Sequence, residues 1–512
     1  MTSYGFIIDN NKCIGCHACT VACKAEHNVP VGVFRTWVKY VETGEYPNAR
    51  RLFNVLRCNH CVNAPCVEIC PVSALYTRED GIVDFDKNRC IACKSCMQAC
   101  PYDALYIDPE TYTSAKCNYC ANRVEQNLQP ACVVVCPEQA IISGDLDNPE
   151  SNIARILSQN NVTVRKPEKG TQPKLFYIEG DSKVLSPQQT QRKSEYLWSN
   201  QVSGVGHYAG KSFSNKNMYP TEDVQPKNNR VYDAPAKGRL WGWEFPAYMI
   251  TKSVATGISM ILAMLFLLNN TFSVEFQQVA YIVALAFLGL TGLFLILDLD
   301  QPFRFHTILL RPQWKSWLAR GAYLIMIYGG FTALLLFLTF FTDLPVPYAL
   351  LYLLTFASAT MTSVYTAFLL AQAKGRDFWQ SPLLPFEKVS LSFALGAGTL
   401  LAIHQLGIQM NEETYGLVIN ILIIAIVMML AIALMEVFVT HSTIDAQTVA
   451  KSFKYGSWAP HFWGGLLLGT IIPFTYLSNI LPVQLLAIGS LFLGSYVLMR
   501  AWIYAPQDIV LV

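Results

Sequence analysis

The sequence predicts an α+β domain, made of two repeats of a cysteine-rich unit, followed by an all-α polytopic membrane bundle of eight helices. Three observations carry this prediction. All sixteen cysteines of the 512-residue chain lie between Cys13 and Cys136. They fall into four groups of four, and Cys-Pro-x-x-Ala recurs at Cys70, Cys100 and Cys136. Beyond residue 238 the composition changes to long apolar runs with few charges.

The groups read Cys13-x2-Cys16-x2-Cys19-x3-Cys23, Cys58-x2-Cys61-x4-Cys66-x3-Cys70, Cys90-x2-Cys93-x2-Cys96-x3-Cys100 and Cys117-x2-Cys120-x11-Cys132-x3-Cys136. A cubane cluster needs four converging thiolates. The tight C-x2-C-x2-C turn supplies three from one loop, and in C-x2-C-x2-C-x3-C-P runs the last cysteine serves a neighbouring cluster. Sixteen thiolates therefore match four [4Fe-4S] clusters with none left over. Proline follows Cys70, Cys100 and Cys136 and stops the chain from prolonging a helix there, whereas Lys24 follows Cys23. Zinc sites commonly use two separated C-x2-C pairs and have no need of a third close cysteine or a C-x3-C-P ending. A disulfide scaffold is disfavoured because no secretory signal precedes Cys13 and cysteines so closely spaced bridge poorly. Each Cys-Pro-x-x-Ala leads into an apolar stretch, and in ALYTREDGIVDF the Asp80-Gly81 pair supplies a hairpin turn. The expected domain is thus two ferredoxin-like units of two clusters each.

With these motifs the chain resembles the four-cluster ferredoxin subunits of complex iron–sulfur molybdoenzymes, of the dimethyl sulfoxide and polysulfide reductase type. The resemblance extends over residues 1 to 180, including KPEKGTQPKLFYIEG. It implies ligand exchange between the first and fourth groups and between the second and third. Cys13, Cys16, Cys19 and Cys136 would hold one cluster and Cys23, Cys117, Cys120 and Cys132 its neighbour. Cys58, Cys61, Cys66 and Cys100 would hold a third, and Cys70, Cys90, Cys93 and Cys96 a fourth.

A polar linker is expected over 181–238, and a membrane domain over 239–512. A hydrocarbon core needs about 20 apolar residues per helix. Eight segments qualify, near 246–268, 276–297, 318–341, 346–373, 386–409, 415–440, 461–480 and 483–503. The 52% hydrophobic composition averages over two solvents, the net charge of +2 says little about partners, and no nucleic acid is expected among them. Alternate connections carry the cations: Arg304, Arg311, Lys315 and Arg320, then Lys374, Arg376 and Lys388, then Lys451 and Lys454. That asymmetry predicts a multi-pass protein of a prokaryotic inner membrane with the ferredoxin-like domain and both termini in the cytoplasm. No export signal opposes this orientation, although relatives whose cluster subunits face outward are the alternative.

The membrane half resembles the NrfD-type polysulfide reductase anchors through WGWEFPAYMITKSVATG, LDLDQPFRFHTILLRPQWKSWLARGAY and SPLLPFEKVSLSFALGAG. The resemblance implies quinone as exchangeable redox partner and a separate catalytic subunit with a molybdenum or tungsten bis-pterin. Ionisable residues in spans are costly and functional by default. Here Lys252, Asp298, Asp300, Glu436, His441 and His461 all fall toward the cluster-bearing side, and His404 toward the other. Quinone chemistry moves two electrons and two protons. Asp298, Asp300 and His306 fit a proton relay; Lys252, Arg304 and His441 fit carbonyl or semiquinone partners; Glu436 belongs to the same group. Simpler readings compete: Lys252 snorkelling to the interface, Arg304 holding a lipid head group, and Asp300-Gln301-Pro302 capping a helix. Haem is not expected, because only His404 lies well inside a span. The leading function is an electron-transfer and anchor subunit linking the quinone pool to a catalytic partner. The alternative is a redox-driven proton-translocating module using Lys252, Asp298, Glu436 and His404, against which the middle of the bundle looks nearly empty of ionisable groups.

Overall fold

Strand Tyr4–Asp9 organises the first domain. In the computed structural model, which describes residues 2–44, 46–186, 230–234, 237–270, 272–340, 347–478 and 480–511, it pairs antiparallel with Ile141–Asp145 and parallel with Leu175–Ile178. Val162–Thr163 completes that sheet on the far side of Leu175–Ile178. The KPEKGTQPKLFYIEG stretch therefore returns the chain to its beginning. Phe6 and Ile8 face a core shared with Tyr119, Ile141, Leu175 and Tyr177, while Ile7 packs with Ile153 on the opposite face, as the two-residue period of a strand requires.

Every Cys-Pro-x-x-Ala leads into a strand. Leu75–Thr77 pairs with Val83–Phe85 around the Asp80-Gly81 turn, Leu105–Ile107 pairs with Ser114–Lys116, and the third repeat runs into Ile141–Asp145. Gly81 has φ +74°, the left-handed conformation the turn requires. Of the linker expected over 181–238, residues 187–229 lie outside the described residues. Its flanks belong to the first domain: Asp181 caps the turn Ser182–Leu185, and Arg230–Tyr232 adds a strand to the hairpin of Thr36–Thr43 and Arg50–Arg57.

Among the described residues seven helices are long and apolar enough to cross a membrane: Glu244–Leu267, Val274–Leu297, Trp317–Leu338, Tyr348–Gln372, Leu384–Gln405, Glu412–Phe438 and Leu481–Gln507. They fill seven of the eight expected positions. The remaining one, expected over 461–480, is helical but not one regular α-helix: Ala459–Leu466 is α-helical, Leu467–Ile471 a π-helical turn and Ile472–Leu477 a 3-10 turn. Two features account for it. Pro473 has no N–H to continue the α-helical ladder. Gly465 and Gly469 also bring this segment against the backbone of Gly494, Ser495 and Leu498 in the last helix, where side chains would collide.

The first and fifth spans, 83% and 78% buried, form the centre of the bundle, whereas the second and third are only 28% buried and present their side chains outward. Gly257 and Gly396 let the central pair touch backbone to backbone, as small residues do at tight membrane crossings. Lys252, on the first span, is therefore at the bundle axis. It is 1% exposed and does not snorkel.

A Cβ on Gly257 would collide with the Ser392 carbonyl, while nothing lies within 4 Å of one on Gly289, on the outer face of the second span. Gly257→Leu is expected to destabilise the bundle by about 2 kcal/mol or more through overpacking, and Gly289→Leu to stay within about 0.5 kcal/mol of wild type. Thermal unfolding of the purified chain in detergent measures both.

Candidate cluster sites and the membrane edge

Local backbone geometry explains why the cysteine loops converge. In the first and third groups the residues flanking the second cysteine adopt left-handed conformations: Gly15 (φ +70°) and His17 (φ +61°), Ala92 (φ +57°) and Lys94 (φ +59°). Such alternation turns successive N–H groups toward the inside of a loop, a cradle for anionic sulfur. A helix then starts at once, Ala18–His27 or Ser95–Ala99, and carries the third cysteine inward. Where proline follows the fourth cysteine the helix stops, so Pro65–Ile69 and Ser95–Ala99 are five residues long. After Cys23 comes Lys24, and the helix continues to His27.

Cys-Pro-x-x-Ala is a turn with a purpose. Ser73, Asp103 and Gln139, one residue before each alanine, all have φ +51°. This aims the Ala74 amide at Cys70 Sγ (3.2 Å) and the Ala140 amide at Cys136 Sγ (3.3 Å). Amides of Ala92 and Ser114 likewise donate to Cys90 Sγ at 3.4 and 3.3 Å.

The sixteen thiols assemble into four sets. Cys13, Cys16, Cys19 and Cys136 line one cavity and Cys70, Cys90, Cys93 and Cys96 another. Cys23 lies in electrostatic reach of Cys117, Cys120 and Cys132, and Cys66 in reach of Cys58, Cys61 and Cys100. Each set draws on two groups distant in sequence. Among the described residues no group of three or more His, Cys, Asp or Glu is arranged to hold a single metal ion. The first and fourth sets each line a cavity, which suits a cubane.

Burial pushes the thiols up: Cys19, Cys93 and Cys120 to about 12 and Cys100 to about 11, the last eased by the amides of Ala104 and Tyr102. Thiolates in such places need a positive core beside them, and iron supplies it. Other polar groups point the same way. Arg57 Nη1 donates to Cys132 Sγ at 3.0 Å, while its Nε and Nη2, with Asn59 Nδ2 and His60 Nε2, are buried without a partner among the described residues, and the Thr20 and Ser95 hydroxyls lie beside Cys19 and Cys93. All of these adjoin the cysteines in sequence or space and fit as donors to cluster sulfides.

The sets follow one another. Cys19 of the first is in electrostatic reach of Cys132 of the second, and Cys117 of the second in reach of Cys58 of the third. Helices Pro65–Ile69 and Ser95–Ala99 each carry a cysteine of one of the last two sets and end beside a cysteine of the other, joining those two.

The fourth set meets the membrane bundle. Trp241 Nε1 donates to the Cys93 carbonyl (3.2 Å), Arg304 Nη1 to the carbonyls of Cys90 (3.1 Å) and Lys87 (3.0 Å), and Lys94 pairs with Asp300 (3.1 Å). Gln98, between Cys96 and Cys100, donates to Gln507 at the end of the last span (2.7 Å) and accepts from Arg376 Nε (2.9 Å). Trp241 stacks on Phe245 (4.3 Å) and Trp379 (5.4 Å), so an aromatic column leads from the Cys93 loop toward the bundle.

The membrane-edge candidates separate into two groups and one deep residue. Asp298, Asp300 and Arg304 stand at the seam with Lys94, and His306, exposed nearby, has its Nδ1 3.0 Å from the Phe303 carbonyl. Glu436 accepts from Ser381, and His441 Nε2 lies 2.8 Å from the Glu436 carbonyl. Lys252 is about 12 Å along the first span, at 1.5 Å per residue. Its Nζ donates to the Ser363 carbonyl (3.0 Å) and to Thr366 Oγ1, and it lies over the Tyr365 ring at 4.6 Å.

Three participants are not evident from the sequence. Lys94 reads as a loop residue between cysteines, and only folding shows its charge buried at the seam. Glu387 lies in the SPLLPFEKVSLSFALGAG stretch without being singled out as a site residue, and Glu387 and Lys388 form a buried pair (2.7 Å) inside the fifth span. Lys388 is thus not a connection charge: it is 1% exposed, and helix Leu384–Gln405 begins before it. The middle of the bundle also holds more polar groups than expected, for Ser363, Ser392 and Thr256 are joined by hydroxyl contacts of 2.7 and 3.2 Å beside Lys252.

Comparison with known proteins agrees with this geometry. Residues 6–71 and 50–146 match models of a 4Fe-4S dicluster domain, and residues 233–503 match the model described as polysulphide reductase, NrfD. A tetrathionate reductase subunit of Salmonella typhimurium is 46% identical over 189 residues, 36% of this chain and 75% of that protein. A polysulfide reductase component of Wolinella succinogenes is 42% identical over 178 residues, 34% of this chain and 93% of that protein. A putative dimethyl sulfoxide reductase iron-sulfur subunit of Halobacterium salinarum is 39% identical over 227 residues, 38% of this chain and 87% of that protein.

Cys70→Ser discriminates spatial from sequence grouping. It is expected to remove or convert the cluster of the Cys90 loop and to leave that of Cys58, Cys61 and Cys66 intact. Iron analysis and EPR of the reduced protein would read this as one altered signal, and loss of the Cys58 cluster instead would refute the grouping.

Proposed function

Since the chain belongs to the polysulphide reductase NrfD family through residues 233–503 and carries two 4Fe-4S dicluster domains ahead of them, we propose that it is the electron-transfer and membrane-anchor subunit of a respiratory oxidoreductase. Its catalytic subunit would be a separate protein bearing a molybdenum or tungsten bis-pterin. Four [4Fe-4S] clusters, held by the four cysteine sets, would carry electrons between membrane quinone or quinol and that subunit.

One observation carries the reading: the fourth set abuts the bundle while the first opens on the surface. Cys16 is exposed, and Ile14, Val21 and Val134, each within two residues of a cysteine of that set in sequence, are 55%, 61% and 62% exposed, apolar surface of the kind a partner subunit covers. At the other end the protein supplies the polar groups that quinone chemistry needs. Asp298 and His306 at the seam, and Glu436 with His441 across it, are placed to pass protons. Lys252 is placed to polarise a carbonyl that reaches the bundle axis. Asp300 and Arg304 act one step removed, holding the cysteine loop on the bundle.

The cytoplasmic placement of the cluster domain is supported by Arg311, Lys315, Arg320, Lys374, Lys451 and Lys454 at span ends on its side. A second reading, redox-driven proton translocation, draws on the buried column of Tyr248, Thr366, Lys252, Ser363, Ser392 and Thr256, whose hydroxyl and ammonium groups lie within hydrogen-bonding distance of one another or of adjoining carbonyls. In vesicles, Lys252→Met would abolish proton movement and spare quinol oxidation under that reading.

Gentle solubilisation of the native complex is expected to bring a large pterin-binding subunit with this chain, and a short-chain quinol is expected to reduce the clusters or be formed by them on addition of the partner's substrate. EPR and mass spectrometry read both outcomes. A reproducibly solitary chain whose clusters exchange no electrons with quinone would overturn the proposal.

A further inference from the structure

Three carboxyl groups, Asp298, Asp300 and Glu244, gather near Lys94 where the fourth cysteine set meets the bundle. Lys94 stands in the turn between Cys93 and Cys96, and its side chain is 1% exposed. Its ammonium pairs with Asp300 Oδ1 at 3.1 Å and donates to the backbone carbonyl of Asp298 at 3.2 Å. The Asp298 carboxyl is not its partner. Asp298 is 8% exposed, and its Oδ1 is buried with no hydrogen-bond partner among the described residues. The charged groups that face it are Lys94 from the cysteine loop, Glu244 from the start of the first span and Asp300 from its own loop; the Tyr248 phenol is also in reach. Arg304, nearby in the chain, directs Nη1 at the carbonyls of Cys90 and Lys87. Three carboxyls thus face the Lys94 ammonium, those of Asp298 and Asp300 buried and that of Glu244 half-buried.

Burial pushes the Asp298 carboxyl up to about 8, with Glu244 and Asp300 adding to the rise and Lys94 opposing it. A further negative charge delivered to the Cys90–Cys96 loop would be poorly screened there and would act in the same direction as Glu244 and Asp300.

We propose that Asp298 is the redox-linked proton acceptor of the membrane-proximal cluster: when the cluster of Cys70, Cys90, Cys93 and Cys96 gains one electron, the Asp298 carboxylate gains one proton, and reoxidation releases both. The electron comes from quinol in the membrane or from dithionite in vitro, and the proton from water at the seam. The cluster passes from its 2+ to its 1+ core while the carboxylate becomes a neutral acid, so the net charge of the seam is unchanged. The proposal rests on the ligand set given under the proposed function, but not on quinone binding.

The test is a redox titration, followed by EPR, of the full-length cluster-loaded chain in detergent without quinone, from pH 6 to pH 10. The midpoint potential of the membrane-proximal cluster, identified by its change in Cys70→Ser, is expected to be flat at low pH. Above the carboxyl pKa of the oxidised state it should fall toward 59 mV per pH unit, the one-electron value for a tenfold change in proton concentration. Asp298→Asn should abolish the slope for that cluster alone, and Asp298→Glu should retain it. Redox-difference infrared spectra of the wild type should show a protonated-carboxyl band on reduction that is missing in Asp298→Asn, a readout that survives if the variant loads iron poorly. A flat wild-type profile, a slope kept in Asp298→Asn, or no carboxyl band in the wild type would overturn the proposal. Absence of a cluster in the fourth set would instead overturn the ligand reading, and failure of quinol to react would overturn neither the slope nor the band.

Discussion

Burial of sulfur in a water-poor interior is the constraint on which the rest of the structure depends. Cys66, Cys70, Cys96, Cys100 and Cys117 are buried, and desolvation alone favours their neutral thiols. A cluster core reverses that preference, because it replaces water as the partner of the thiolate. The amides of Ala74, Ala92, Ser114 and Ala140, turned toward sulfur, reduce the remaining cost by hydrogen bonds to the charged form. Left-handed residues and short helices are the backbone expression of this requirement.

The same constraint shapes the seam. A loop built to surround a cluster exposes carbonyls on its outer side, and these must find donors when the loop is buried against a membrane bundle. Trp241 and Arg304 supply them for Cys93 and Cys90, and Gly375 supplies its amide to Gln98. A Cβ on Gly375 would meet the carbonyls of Gln98 and Cys100, so only glycine allows this approach. Gln507 then satisfies Leu240, Trp241 and Gln98 at once. Trp241, Arg304 and Gly375, far apart in the sequence, converge because each answers a carbonyl left by the cysteine loops, whereas Gln507 Oε1 accepts from the Leu240 and Trp241 amides and from Gln98 Nε2.

How much of this was legible follows from the range of the interactions. Cysteine spacing and proline placement act within a few residues, so the loops, the hairpin at Asp80-Gly81 and the stop after Cys70 could be read directly. Apolar length marks a span whatever its neighbours, so the spans emerged at nearly their observed ends. The irregular 459–477 segment escaped because Pro473 and its glycines signal only a kink, and the last helix decides what form the kink takes. Lys252, Lys388 and Glu387 were visible as residues but not as an axis, since their burial depends on Gly257 meeting Gly396. Lys94 was illegible for a similar reason: its partner lies some two hundred positions away.

Loop cations illustrate how two causes can give one pattern. Arg304 and Arg376 lie on the cluster-bearing side of the bundle, as the charge rule expects, yet both donate to the cluster domain. Their position is explained by docking whichever way the protein faces. Lys388, inside the fifth span and paired with Glu387, drops out as well. What remains as independent witness to orientation is Arg311, Lys315, Arg320, Lys374, Lys451 and Lys454. No connection on the opposite side offsets them, for NNTFSVEFQQ, FTDLPVP, QMNEET and SNILPVQ contain no lysine or arginine. Arg320 and Lys454 also touch the Trp317 and Phe438 rings, yet a bias remains once the cations that dock on the cluster domain or pair inside the bundle are set aside, the pattern that the charge rule associates with membrane orientation.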